Sequence, residues 1–261
     1  MKKLLYIALG IVVIAVVGAG GYRVYLGIRA GDGEISREVQ AERSFNTSDS
    51  SGSEDEPAIG IVQYGVTSGD DGDSEAQFLI EETIFGRENM VEGTTRQIDG
   101  SFLIDYEDHE VRVGQFEINV RDITTRSLDV DIESRGWTDS ERDTVIRAQI
   151  LESGQDQYEF STFDPTGVSG VPEDFGPGDT LDLVVTGNLT IRGVTSPVEF
   201  DMQLNLDSDE LISGTASTTV LWEDFDITIP YVGGGSDVGA VSDSVELRLE
   251  FTAEEEGRVG I

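Results

Sequence analysis

The chain has 261 residues, of which 38% are hydrophobic, so it is long enough to bury a core in one or two domains. It contains no cysteine and one histidine, His109, which excludes disulfides, thiolate metal sites, cysteine nucleophiles and any site that needs two imidazoles. With 52 acidic residues against 17 basic ones, its formal net charge is -35. This balance excludes nucleic acid as an expected partner, because such binding relies on basic residues that neutralise phosphates.

The N-terminal segment, residues 1–29, predicts a membrane anchor. Lys2 and Lys3 precede an uncharged stretch, residues 4–21, which is long enough for a tilted membrane-spanning helix and longer than the apolar region of a typical cleaved signal peptide. We therefore expect a transmembrane signal anchor, although cleavage stays open, with the bulk of the chain on the extracytoplasmic side. Residues 30–57 are poor in apolar residues and rich in serine, glycine and acids, which indicates a disordered acidic linker.

From residue 58 to residue 254 apolar and polar residues alternate, which is typical of half-buried antiparallel strands. One such strand is QFEINV, with Phe116 and Ile118 on one face, and another is LDVDIE, with Leu128, Val130 and Ile132 on one face. Glycine-rich and acidic turns separate the strands, so the pattern predicts an all-β sandwich or closed barrel. Residues 255–261 are expected to form a C-terminal tail.

The segment DSERDTVIRAQILESG interrupts this alternation with apolar residues at helical spacing. A capping box from Ser140 to Asp143 at its start and Gly154 just past its end predict one short α-helix. We expect the helix to lie across one opening or edge of the sheet, where its apolar stripe would be covered.

The segment GNLTIRGVTSPVEFDMQLNL, residues 187–206, has the most regular alternation in the chain. Leu189 and Ile191 share a face before its turn, and Val198, Phe200 and Met202 share a face after it, together with Leu204 and Leu206. Such a face either packs into a solid core or borders a cavity, and the pattern leaves both interpretations open.

The segment VTGNLTIRGVTSPVEF, residues 185–200, resembles the hairpin of the YceI family, which comprises lipocalin-like barrels that bind polyisoprenoid lipids. The pair Arg142–Asp143, then YEFSTF, WEDFDITIP and the strand VSDSVELRLEFTA follow the order that the family has. The resemblance extends over residues 59–253 and implies an antiparallel lipocalin-like closed barrel with one inserted short α-helix. Val145 replaces a histidine that the family often has, which leaves the identity of the ligand open.

Large apolar residues on the inward faces are the candidates for a ligand-binding cavity lining, and each would equally suit a packed core. These candidates are Phe78, Ile80, Phe102, Phe116, Ile118, Phe160, Phe200, Met202 and Trp222.

Two charged residues at the start of the helix, Arg142 and Asp143, have two interpretations. The family resemblance places them near the barrel mouth, where Arg142 could contact a phosphate or a quinone oxygen. The alternative is structural, with Asp143 in the first helical turn and Arg142 as its ion-pair partner or a solvated side chain.

The chain is therefore expected to be a membrane-tethered, extracytoplasmic protein that holds an isoprenoid-type lipid, a quinone or a polyprenyl compound. The alternative is a β-sandwich interaction module that binds a protein or a glycan through its loops. An enzyme is not expected, because the sequence has neither a G-x-S-x-G nor an H-E-x-x-H motif and His109 lies in a polar turn. No metal and no cofactor besides the lipid are expected, and a homodimer stays open.

Overall fold

The computed structural model describes residues 60–69, 72–229 and 238–259, and the predicted anchor and linker lie outside them. Its strands are β1 (Ile61–Val66), β2 (Glu75–Ile84), β3 (Arg87–Thr95), β4 (Ile98–Asp99), β5 (Ser101–Asp105), β6 (Glu110–Val113), β7 (Phe116–Asn119), β8 (Thr124–Ser127), β9 (Phe160–Ser169), β10 (Thr180–Ile191), β11 (Val194–Asn205), β12 (Leu211–Leu221), β13 (Val238–Val241) and β14 (Ser244–Val259). The helix α1 spans Asp139–Val145 and continues as a π-helical turn, Ile146–Ile150. Short 3-10 turns cover Glu133–Arg135, Asp156–Tyr158 and Trp222–Phe225. Among the described residues, no helix combines the length and apolar content that a membrane span needs.

The strands form one strongly curled antiparallel sheet of 14 strands, a half-barrel that carries one short helix. The long strand β14 pairs with β12 along one side, and on its other side first with β2 and then with β1. β9, β10, β11 and β12 follow one another as antiparallel neighbours, and β7 pairs with β9. The prediction of an all-β, antiparallel fold from the period-two alternation is therefore confirmed.

The hairpin of β10 and β11 has the alternation and the turn that the sequence predicts. Their register runs from Thr180↔Asn205 to Ile191↔Val194. The two turn residues Arg192 and Gly193 both have positive φ, 50° and 74°, as a tight turn matching the twist of its strands requires. Leu204 and Leu206, at the far end of the hairpin, are fully buried in the main core.

We expect Gly193→Val to destabilise the protein by about 1–2 kcal/mol, because a side chain at positive φ crowds its own backbone. A Cβ at this position would also approach the Tyr158 ring to 3.1 Å. The free energy of unfolding, measured with a denaturant, checks this. The control Gly257→Ala, where a Cβ would meet no described atom within 4 Å, is expected to stay within about 0.5 kcal/mol of the parent chain. Equal losses in both variants would contradict the turn argument.

β11 and β12 pair along only part of their lengths. The register runs from Asn205↔Ser213 to Asp201↔Ser217, and the strands diverge beyond that point. Within the described ranges, no strand pairs with β11 from Val194 to Phe200 on the side away from β10. One edge of the hairpin is consequently open.

The prediction of a strand at LDVDIE is wrong. The chain leaves the sheet after Ser127, and Asn89 Oδ1 accepts hydrogen bonds from the backbone N–H groups of Asp129 and Val130, each at 3.1 Å. Val130 and Ile132 are buried in a small second core cluster, whereas Leu128 is 46% exposed. The segment is therefore a loop that Asn89 holds in place, and its alternation arises because Val130 and Ile132 are buried.

The helix forms where the sequence predicts it, but with a different cap. Thr138 is the N-cap residue, its hydroxyl accepts from Glu141 N at 3.2 Å, and Glu141 Oε2 accepts from Thr138 N at 3.0 Å. The predicted box from Ser140 to Asp143 is wrong, because the helix begins one residue before Ser140 and Asp143 contacts the sheet. α1 packs beside β8. Among the described strands β8 pairs with β3 alone, so it lies at an edge of the sheet, and the expected position of the helix there is confirmed.

Candidate functional site

A cavity of about 510 Å³ lies inside the curled sheet, within the size range of ligand pockets. Inward-facing side chains of β2, β9, β10, β11, β12 and β14 form most of its wall, and Val145, Ile146 and Ile150 of the helical segment add to it. Most of these side chains are apolar. The cavity therefore suits a guest that gains free energy by leaving water.

Most of the lining residues predicted from the sequence do meet around this cavity. They are Phe78, Ile80, Phe116, Ile118, Phe200, Met202 and Trp222. The apolar face of the β10–β11 hairpin partly borders the cavity and partly packs into the core. Its residues at the cavity are Leu189, Ile191, Phe200 and Met202. Leu204 lies in the packed core.

Two predicted lining residues lie elsewhere. Phe102 is fully buried, stacks on Phe251 with ring centroids 4.8 Å apart and meets Phe116 edge-on at 5.6 Å, so it belongs to the solid core. Phe160 is 44% exposed, because the alternation of β9 turns Ser161 and Phe163 inward and Phe160 outward. The prediction that these two phenylalanines line the cavity is wrong.

A buried ion pair lies in the cavity wall beside α1. Arg142 Nη2 donates to Glu82 Oε1 at 2.8 Å, and both side chains are less than a tenth exposed. Arg142 Nη1 also donates to Ser127 Oγ at 2.7 Å and to Asp139 Oδ1 at 3.3 Å. Glu82 Oε1 accepts a further hydrogen bond from Asn89 Nδ2 at 2.9 Å. The guanidinium is therefore held by the protein itself.

Asp143 has a different role from Arg142. Its Oδ1 accepts hydrogen bonds from both the backbone N–H and the hydroxyl of Thr125, each at 2.7 Å, and the residue is absent from the described cavity wall. Asp143 therefore fastens α1 to β8. The predicted Arg142–Asp143 ion pair is wrong in its partner, because Arg142 pairs with Glu82 and Asp139, while Arg147 lies 3.8 Å from Asp143.

Several polar lining residues were missed by the reasoning from sequence, among them Glu82 and Ser161. In the β2 segment FLIEETI, Phe78, Ile80, Glu82 and Ile84 share a face, and all four border the cavity. A carboxylate in that apolar series is a signal for an inward charge that needs a partner. Ser161 shares the inward face of β9 with Phe163 in the same way.

The opposite end of the sheet, where β1 pairs with β5, is closed by tyrosines. The Tyr64 and Tyr106 hydroxyl oxygens are 2.9 Å apart, and Tyr64 Oη donates to the Asp209 carbonyl oxygen at 3.1 Å. Burial raises the pKa of both hydroxyl groups above their ordinary value, so both stay protonated at neutral pH. Tyr64 has no exposed surface, and this end is a packed core.

No catalytic or metal-binding arrangement emerges in the part of the chain that the structure describes. His109 lies between β5 and β6, where Nε2 is 3.0 Å from Asp174 Oδ1 and the ring meets Phe175 edge-on. It is not among the described residues that line the cavity. In the same described ranges, no group of three or more histidine or carboxylate side chains could hold a metal ion.

Comparison with solved structures finds folds similar to this one. A polyisoprenoid-binding domain from Saccharophagus degradans, implicated in plant cell wall breakdown, is 13% identical, with a TM-score of 0.49 over 74% of this chain and 99% of that domain. BcnA from Burkholderia cenocepacia is 15% identical, with a TM-score of 0.48 over 69% of this chain and 95% of BcnA.

Comparison of sequences gives nearer relatives. Protein YceI from Salmonella arizonae is 32% identical over 161 aligned positions, and the match covers 59% of this chain and 69% of that protein. A UPF0312 protein from an Enterobacter species is also 32% identical over 161 residues, with the same shares of the two chains. The family model described as the YceI-like domain matches residues 68–253. This match extends over most of the chain and agrees with the hairpin resemblance, so the chain belongs to the YceI family.

Proposed function

We propose that the protein holds an isoprenoid-type lipid, a quinone or a polyprenyl compound, in its cavity for transport, storage or sequestration. The observation that carries this proposal is the apolar cavity of about 510 Å³ inside the sheet. Membership of the YceI family supports an isoprenoid as the guest, because the sequence resemblance implies that class of lipid.

Burial alone supplies the binding free energy for such a lipid. Each Å² of apolar surface that leaves water contributes roughly 25 cal/mol, so a long hydrocarbon tail along this wall needs no covalent chemistry. The wall beside the tail consists of aliphatic and aromatic side chains from several strands, among them Val185, Met202 and Leu249. The proposed function therefore requires binding alone.

We also propose that the curled sheet closes into a complete barrel around the lipid. β4 continues into β5 through Gly100, and β6 continues into β7 through residues 114–115. β5 pairs with β1 and β7 pairs with β9, so strand pairings run around the sheet and return through β12 and β14. A closed wall of this kind keeps water from the tail.

The alternative of a β-sandwich with a solid core is less consistent with the interior. Phe78, Phe200 and Trp222 face the cavity and do not fill it. A module that acts through its loops would have no use for that internal space.

The proposed location is the extracytoplasmic face of a membrane. The uncharged residues 4–21 would form the anchor, and residues 30–57 would tether the barrel beside the bilayer from which the lipid is taken. This arrangement brings the cavity close to its ligand source.

The test is to purify the full chain from membranes, extract it with organic solvent and analyse the extract by mass spectrometry. We expect about one isoprenoid lipid per chain in the parent protein. In Ala216→Phe the new ring would point into the cavity, and we expect at least an approximately tenfold loss of bound lipid as a steric consequence.

The matched control is Thr215→Phe, the neighbouring residue on the outer face of β12, which is exposed. It adds the same ring outside the cavity and is expected to retain the lipid. Circular dichroism checks that both variants fold. The proposal fails if the parent chain holds no isoprenoid even after incubation with isoprenoid-containing vesicles, or if Ala216→Phe holds as much as the parent.

A further inference from the structure

Ser161 differs from every other buried polar side chain that the structure describes. The buried polar residues other than Ser161 are Ser74, Asn89, Thr95, Asp105, Thr125, Arg142, Asp143 and Ser153. Each of these makes at least one side-chain hydrogen bond within the protein. Ser161 is only 8% exposed, and no described residue forms a hydrogen bond with its hydroxyl.

The position of this hydroxyl points to a ligand. Ser161 lines the cavity, lies opposite Ile118 in the β7–β9 register and shares its strand face with Phe163. A buried hydroxyl without a partner is unfavourable, since its hydrogen bonds with water are lost and not replaced. In an apolar wall, a single such donor is suited to fix the one polar group of a mostly apolar guest.

The charges around the cavity restrict what that polar group can be. The lining cation Arg142 is neutralised by Glu82 and faces Asp139 as well, and the lining cation Arg248 is paired with Glu246 at 2.7 Å. A phosphate on the ligand would have to compete with these carboxylates in a protein whose formal net charge is -35. A neutral oxygen pays no such electrostatic penalty.

We propose that the Ser161 hydroxyl donates a hydrogen bond to a neutral oxygen of the lipid, and that the cavity selects uncharged prenyl lipids over prenyl phosphates. This inference rests on the proposed function, since it presupposes that an isoprenoid occupies the cavity. It narrows the ligand class to isoprenoids with a hydroxyl or carbonyl head group.

Three probes of equal chain length test the inference on the full chain: a polyprenol, the corresponding polyprenyl monophosphate and the corresponding hydrocarbon. We expect the polyprenol to bind most tightly. Ser161→Ala should weaken polyprenol binding about threefold to tenfold, the usual effect of losing one hydrogen bond, and leave hydrocarbon binding unchanged. Ser161→Thr keeps the hydroxyl and should retain the affinity of the parent chain for the polyprenol.

The outcomes separate this inference from the proposed function. If the monophosphate binds as tightly as the polyprenol, or Ser161→Ala binds the polyprenol like the parent chain, the inference is overturned while isoprenoid binding stands. If none of the three probes binds the parent chain, both are overturned. A loss of hydrocarbon binding in Ser161→Ala would show a general packing defect and would also overturn the role of the hydroxyl.

Discussion

Replacing Arg142 by methionine is expected to lower the free energy of unfolding by about 3–5 kcal/mol, because it leaves the carboxylate of Glu82 buried without its partner. Denaturant unfolding measures the loss. The double variant Arg142→Met/Glu82→Leu should recover most of it, since neither charge of the pair then remains buried. Recovery would show that the uncompensated charge, and not the lost packing of the arginine stem, causes the destabilisation.

The matched control is Arg248→Met. Arg248 also forms an ion pair across a short distance, 2.7 Å to Glu246, but the two side chains are 48% and 38% exposed. An exposed pair contributes less than about 1 kcal/mol, so this variant should unfold almost like the parent chain. Equal losses for Arg142→Met and Arg248→Met would contradict the buried position of the Arg142–Glu82 pair.

Truncating Phe102 to alanine is expected to cost about 3–5 kcal/mol, because the ring is fully buried between Phe116 and Phe251 and its removal leaves a hole in packed core. Phe160→Ala removes the same ring from a side chain that is 44% exposed, and it should change stability by less than about 1 kcal/mol. Thermal and denaturant unfolding of the two variants measure the difference.

The alternation of the sequence predicts that both phenylalanines line the cavity. The two alanine variants therefore compare a core side chain directly with a surface one. A small effect of Phe102→Ala would mean that its ring faces open space, as the sequence-based prediction had it. A large effect of Phe160→Ala would contradict the outward, exposed orientation of that side chain.

The alternation of the sequence predicts the sheet well because one face of each strand is buried. In β10 and β11 the apolar residues, the tight turn at Arg192 and Gly193 and the register all favour the same hairpin. Most of the cavity lining follows from the same parity, since Phe78 and Ile80 on β2 and Phe200 and Met202 on β11 face inward.

The failures occur where side chains replace backbone pairing. The segment after Ser127 keeps its alternation but is held by Asn89, a residue far away in sequence. The helix cap lies at Thr138 and not at Ser140, because the Thr138 and Glu141 side chains each accept a hydrogen bond from the other residue's backbone N–H. Asp143 binds the Thr125 backbone instead. The contacts of Asn89 and Asp143 depend on distances across the fold, which local spacing does not encode, whereas the Thr138–Glu141 cap has the local spacing of a capping box and was overlooked.

The polar groups of the candidate site were only partly predictable. Arg142 was identified through the family resemblance, but its partner Glu82 lies 60 positions away and was recognisable only as a carboxylate on an apolar face. Ser161 was hidden for the opposite reason, because a small hydroxyl does not disturb an apolar pattern. Whether serine in a strand faces a partner or an empty space is decided by the neighbouring strands.

The open edge of β11 affects whether separate molecules associate edge to edge. A strand with unpaired N–H and C=O groups is a template onto which another chain can add and start aggregation. Pro197 lies within the open stretch and offers no N–H for such pairing, and Glu199, also in this stretch, is exposed and charged. Together with the strong negative charge of the whole chain, these residues let the hairpin extend past β12 without promoting edge-to-edge assembly of separate molecules.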